Sequence, residues 1–132
     1  MLKITKEVVQ QIHAHGLREQ PLEACGYLAG KEELISRYYP MTNVDKSPEH
    51  FTLDPQEQFQ IVKTIRQDNL SLLAVCHTHP ASPARPSPED IRLAYDPQIL
   101  YVIVSLQSPE PVLRAFRIQQ GAVKEESLSV GI

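Results

Sequence analysis

Residues 70–79, LSLLAVCHTH, constrain the 132-residue chain most: an apolar run turns into two histidines and then meets Pro80. An apolar run of this length bounded by turn formers predicts a buried strand. Pro80 cannot donate to a ladder and ends it. Side chains alternate along a strand, so His77 and His79 project from one face while Cys76 and Thr78 project from the other. Two neutral imidazoles on one face can hold one metal ion. The pair is incomplete, because catalytic zinc takes three protein ligands and keeps a fourth place for water.

The loop that follows, Pro80 to Pro88, carries four prolines, Pro80, Pro83, Pro86 and Pro88. Ser87-Pro88-Glu89-Asp90 then opens a short helix, which Asp96-Pro97 stops. A stiff loop could fold Asp90 back as the third ligand, since ligand geometry must be held before metal arrives. The same residues also read as a capping box, with Ser87 as cap and Asp90 closing it. Spacing alone leaves the two readings open. Peptide hydrolysis at such a centre needs a group that takes a proton from water and returns it to the leaving amine. Glu23, just before Ala24-Cys25-Gly26, is the candidate among eleven glutamates, and an exposed turn carboxylate is the alternative. The second His-x-His pair, His13 and His15, falls on a helix where residues two apart diverge by about 200°, and reads as surface histidines.

Around this segment, the first ten residues read as polar helix onset. Thr5 caps a helix to about Arg18 with Val8, Val9 and Ile12 as its apolar stripe. Residues 24–30 and 33–39 form a strand pair, 43–48 a loop, and 50–53 a short strand. Asp54, Pro55 and Glu57 start a second helix whose face carries Phe59, Ile61, Val62 and Ile65. Strands over 99–106, 112–118 and 122–130 close the chain. This order predicts one α/β domain over 1–132, a central mixed sheet flanked by helices.

A hydrophobic fraction of 42% and a charged fraction of 22% suit an ordinary globular protein. The net charge of -3 leaves no dominant basic patch and disfavours nucleic acid or anionic membrane as partner. The longest apolar run, 99–104, is too short to span a bilayer. The N-terminus has no signal-like apolar region, so a cytoplasmic protein is expected. Cys25 and Cys76 form no Cys-x-x-Cys pair and read as buried thiols, with a redox pair or a metal ligand as alternatives.

Taken together, Glu23 with Cys25-Gly26-Tyr27-Leu28-Ala29-Gly30, then His77-Thr78-His79-Pro80, Ser87 and Asp90, resemble the JAMM (MPN-plus) metalloprotease signature. Seven residues separate His79 from Ser87 and two separate Ser87 from Asp90, as in that signature. The segment NVDKSPEHFTLDP and the strand LYVIVSL extend the likeness to the short bacterial members. The resemblance implies a mixed sheet between helices, related in architecture to the zinc deaminases. It implies Zn2+ held by His77, His79 and Asp90, Glu23 as general acid/base, and Ser87 bonding the water or oxyanion. It further implies hydrolysis of a peptide or isopeptide bond after the C-terminal tail of a ubiquitin-like β-grasp protein, a sulfur carrier for members this short. Such a tail could add as a strand along an open edge, with 41–53 as the candidate.

Three other classes compete. A metal-free scaffold of the same fold would be expected to lack ligands that this chain retains. A nucleoside deaminase needs His-x-Glu and a later Pro-Cys-x-x-Cys, which are missing. A closed, non-catalytic metal module needs a fourth protein ligand, for which Cys25 is the nearest spare.

Overall fold

The computed structural model describes residues 2–131. In chain order the elements are β1 (Leu2–Thr5), α1 (Lys6–Glu19), β2 (Cys25–Lys31), β3 (Leu34–Met41), α2 (Pro55–Gln67), β4 (Ser71–His79), α3 (Pro88–Arg92), β5 (Leu100–Ser105), β6 (Val112–Gln119), β7 (Ala122–Glu126) and β8 (Leu128–Gly131). The strands form one eight-stranded mixed sheet in the order β7-β6-β5-β4-β2-β3-β1-β8. β4 lies at its centre, antiparallel to β2 and parallel to β5.

β7 and β8 are the two ends of that order, yet only Ser127 separates them in the chain. The sheet therefore curls until its edges are joined by one residue. α1 fills the curl. Its core draws on Ile4, Leu28, Ile35, Cys76, Val102 and Ala115, from six different strands. Burial of this apolar surface is the main force holding the curl closed. The outer face packs under α2 through Ile65, with Tyr27, Ala29 and Val75, and near α3 through Ile103 and Phe116. Among the described residues, no helix is long and apolar enough to cross a membrane.

Local chemistry sets both longer helices. Thr5 Oγ1 accepts the Val8 amide at 3.2 Å, and Asp54 Oδ1 accepts that of Gln56 at 3.0 Å with Pro55 following. Glu57 turns away from Asp54 and accepts the Thr42 amide at 2.7 Å, tying the start of α2 to the end of β3.

Several expectations are corrected. Residues 2–5 are a strand, not helix onset, because Ile4 is needed in the core between β3 and β8. Residues 50–53 make no strand; a single bridge joins Asn43 to Leu53. The last predicted strand breaks at Ser127, where the chain passes from one sheet edge to the other. Phe59 is 68% exposed, since it lies about 120° around α2 from the buried Ile65. His15 is buried, not a surface residue, and its Nδ1 lies 2.6 Å from the Tyr38 hydroxyl. Val8, Ile12 and His15 share the i, i+4, i+7 spacing, a signal that outweighs the polarity of His15.

Candidate metal centre

β4 carries both imidazoles to one point. His77 Nε2 and His79 Nε2 are 3.2 Å apart, and Asp90 Oδ2 is 3.2 Å from each. Ligands about 2.0–2.1 Å from a tetrahedral zinc ion lie roughly 3.3 Å from one another. The triangle of donors therefore fits such an ion. Each donor is also of a type that zinc accepts.

Asp90 reaches this point through its helix cap. Ser87 N–H donates to Asp90 Oδ2 at 2.9 Å, and Asp90 N–H donates to Ser87 Oγ at 3.0 Å. The capping box and the inward carboxylate are thus one set of hydrogen bonds, and the two readings coexist. Ser87 Oγ is used as an acceptor, which leaves its hydroxyl proton free to donate.

His79 Nδ1 lies 2.8 Å from the Pro83 carbonyl oxygen, which can only accept. The proton therefore sits on Nδ1, and the Nε2 lone pair faces the centre. The proline loop is held in turn by Ser105 Oγ, which donates to Ser82 O at 2.7 Å. His77 is stacked on Phe51, ring centres 4.6 Å apart, and its buried Nδ1 has no hydrogen-bond partner among the described residues. Burial holds His77 below the usual imidazole range, in the neutral form that ligates. Burial pulls His79 down, but the bonds to Asp90 and Pro83, together with the Asp90 charge, carry it above. Burial would raise Asp90, and its bonds to both histidines outweigh this and hold it well below the usual carboxylate range.

Glu23 is not an exposed turn residue. It is 2% exposed, and its Oε1 has no hydrogen-bond partner among the described residues. A carboxylate oxygen of Glu23 and one nitrogen of each of His77 and His79 lie within 4.8 Å of one another. Asp90 Oδ2, 3.2 Å from each imidazole nitrogen, completes a compact triangle of donors, with the Glu23 carboxylate close beside the two histidines. Burial, the largest cause, pushes the Glu23 carboxyl up to about 8, with Asp90, Glu89 and Glu49 adding and His79 opposing.

This shift has a measurable sign. In metal-free protein burial lets Glu23 keep its proton to about pH 8, against 4.5 for an ordinary glutamate. The folded state binds the extra proton between these values, so this group's contribution to stability declines as pH rises from 4.5 to about 8. Glu23→Gln, a neutral isostere, is expected to raise the melting temperature of metal-free protein at about pH 9 and to change it little at about pH 4. Paired thermal melts check this, and an equal difference at both pH values contradicts it.

Thr78, between the two histidines, points to the inner face. Its Oγ1 accepts the Ala24 amide at 2.8 Å, and its own amide donates to Ala24 O at 2.9 Å. This clamp sets Glu23 beside β4. Thr78→Val strands the buried Ala24 amide and is expected to cost about 1–3 kcal/mol, read by denaturant unfolding. Cys25 pairs across strands with His77, but its thiol faces Met41 O at 3.9 Å and burial pushes it up to about 12. It does not join the converging donors. Cys76 packs in the α1 core on the opposite face, so a disulfide between the two is excluded geometrically.

A cavity of about 580 Å³ opens beside His77 and Asp90, with Val75, Tyr101 and Ile103 among its lining and Phe51 and Leu93 at its walls. Its lining is mostly apolar, with the Gln58 amide donating to the Tyr27 hydroxyl at 2.9 Å. The sequence names Pro83 only as one of four prolines that stiffen the loop and Thr78 only as facing away from the histidines, and it gives Phe51 no role at the centre.

Residues 5–119 match the family model described as prokaryotic homologs of the JAB domain. The chain is 38% identical to the CysO-cysteine peptidase of Mycobacterium tuberculosis over 133 residues, covering 98% of this chain and 91% of that protein. It is 36% identical over 122 residues to a probable TtuB-protein conjugate cleaving protease of Thermus thermophilus, covering 92% and 78%. Its structure superimposes on that of a Desulfitobacterium hafniense protein with a TM-score of 0.92 at 43% identity, covering 99% of this chain and 93% of the other. The chain belongs to the prokaryotic homologs of the JAB domain, the bacterial kin of the JAMM signature that its own residues spell out.

Proposed function

We propose that this protein is a zinc-dependent peptidase that hydrolyses the bond after the C-terminal tail of a ubiquitin-like sulfur-carrier protein. The observation that carries the reading is the 3.2 Å triangle of His77, His79 and Asp90, with the buried, unpartnered Glu23 carboxylate beside it. In this reading His77, His79 and Asp90 hold the metal. Zinc so held would act as a Lewis acid and lower the pKa of water.

The remaining steps belong to the chain's own side chains. Glu23 takes the proton of the attacking water on the carboxylate oxygen that has no other partner, and returns it to the leaving amine. Ser87 donates its free hydroxyl proton to the oxygen on which charge develops. The cavity beside His77 receives the substrate tail and excludes water from it. The substrate class is supported by the relatives, whose names refer to CysO-cysteine and to TtuB-protein conjugates. The two free, buried cysteines suit a reducing cytoplasm.

The test is mass spectrometry of β-grasp carriers bearing a C-terminal cysteine or a linked peptide, incubated with zinc-loaded protein. Loss of the adduct mass, abolished by a chelator and restored by zinc, is the expected result. An unchanged mass across carriers would sink the peptidase reading and leave a scaffold of this fold.

A further inference from the structure

The segment 43–53 is polar and almost without regular structure; the exposed Asp45 carboxylate bonds His50 and Thr52 across it, and the buried Asn43 side chain ties it to Glu23. Asn43 is 5% exposed. Its amide nitrogen donates to Glu23 O at 3.1 Å and to His50 O at 3.0 Å. Its Oδ1 accepts the amides of Asp45 at 3.1 Å and Thr52 at 3.2 Å. An asparagine side chain has two donor protons and two acceptor lone pairs, so all are used. Glu23 is bracketed from both sides, since its own amide donates to Ser47 O, in the same loop, at 2.9 Å. The far end of the loop, beside His50, carries Phe51 onto the His77 ring.

We propose that Asn43 is a positioning residue that locks the 43–53 loop and the Glu23 backbone into one unit, and so sets where the Glu23 carboxylate stands relative to His77 and His79. The inference rests on the peptidase reading. Asn43 is not itself among the converging donors or the cavity-lining residues, and it acts through Glu23 and through His50 and Thr52, which line the cavity. The amide is required, not the shape. Aspartate is isosteric and keeps the acceptors for Asp45 and Thr52, but it has no proton for Glu23 O and His50 O and sets a carboxylate against both carbonyls. Glu23 then loses one of its two backbone anchors. A displacement of about 1 Å in a catalytic group can lower turnover by about 100-fold.

The test compares zinc-loaded wild type with Asn43→Asp and the milder Asn43→Ser on a carrier conjugate. The expected result for Asn43→Asp is unchanged zinc content per chain, KM within about twofold, and kcat lower by roughly 10–100-fold. Amide hydrogen exchange supplies a readout independent of activity: Glu23 exchanges faster in the variant, while β4 and β5 do not. Wild-type kcat per bound zinc, or a fall in kcat that only follows a loss of folded protein, overturns the proposal. So does unchanged exchange at Glu23 in whichever variant folds. An inactive wild type instead removes the peptidase reading, and exchange still decides whether Asn43 anchors Glu23.

Discussion

Glu23→Gln is expected to keep zinc at wild-type stoichiometry and to lower kcat by about 100- to 10,000-fold, the range that a positioned general acid/base contributes. Glutamine fills the same buried space but can neither take a proton from water nor return one to the leaving amine. The carboxylate is available for this proposed role, because its Oε1 has no competing partner among the described residues and its backbone is fixed by Ser47, Asn43 and the neighbouring Ala24–Thr78 clamp. Zinc content by elemental analysis and single-turnover cleavage by mass spectrometry check both halves. Full cleavage by Glu23→Gln would remove Glu23 from the chemistry, and loss of zinc would move it among the ligands.

Asp90→Ala is expected to have the second large effect: zinc binding weaker by more than about 100-fold, with cleavage lost in proportion. Removing even an outer partner of a metal ligand costs about 10–100-fold in affinity, and in the proposed reading Asp90 supplies a donor directly. The fold should survive. α3 contains no fully buried residue, and only one of the two cap bonds, from Ser87 N–H to Asp90 Oδ2, is lost with the side chain, at a cost of about 1 kcal/mol. Competition against a zinc indicator, with circular dichroism as the control, measures the outcome. If Asp90→Ala binds zinc as tightly as wild type, the ligand set is Glu23, His77 and His79, the alternative that the geometry offers.

Much of this architecture is readable locally. Thr5 and Asp54-Pro55 mark helix starts through the hydrogen bonds that they form, and the bonds are there. The apolar run before His77 makes a strand because nothing but burial on both faces suits it. What escapes is whatever depends on which surfaces meet. Residues 2–5 are a strand because they pair with both β3 and β8, and the strand expected over 122–130 splits at Ser127 because its second half pairs with β1 instead of β6. His15 is buried because its helical position lies over Tyr38, a contact 23 residues away in sequence.

The centre divides in the same way. By itself, the sequence determined that His77 and His79 share a face, since alternation along a strand is a property of the backbone. It also determined the cap at Ser87, a matter of four consecutive residues. It could not determine that the cap and the inward carboxylate are a single arrangement, nor that Glu23 is buried beside β4 and not exposed in a turn. Those outcomes were decided by tertiary structure: the pairing of β2 with β4 and the folding of the proline loop across β5. The physical reason is distance along the chain. Backbone geometry propagates over a few residues, whereas convergence of groups 54 and more positions apart requires the whole sheet to be in register.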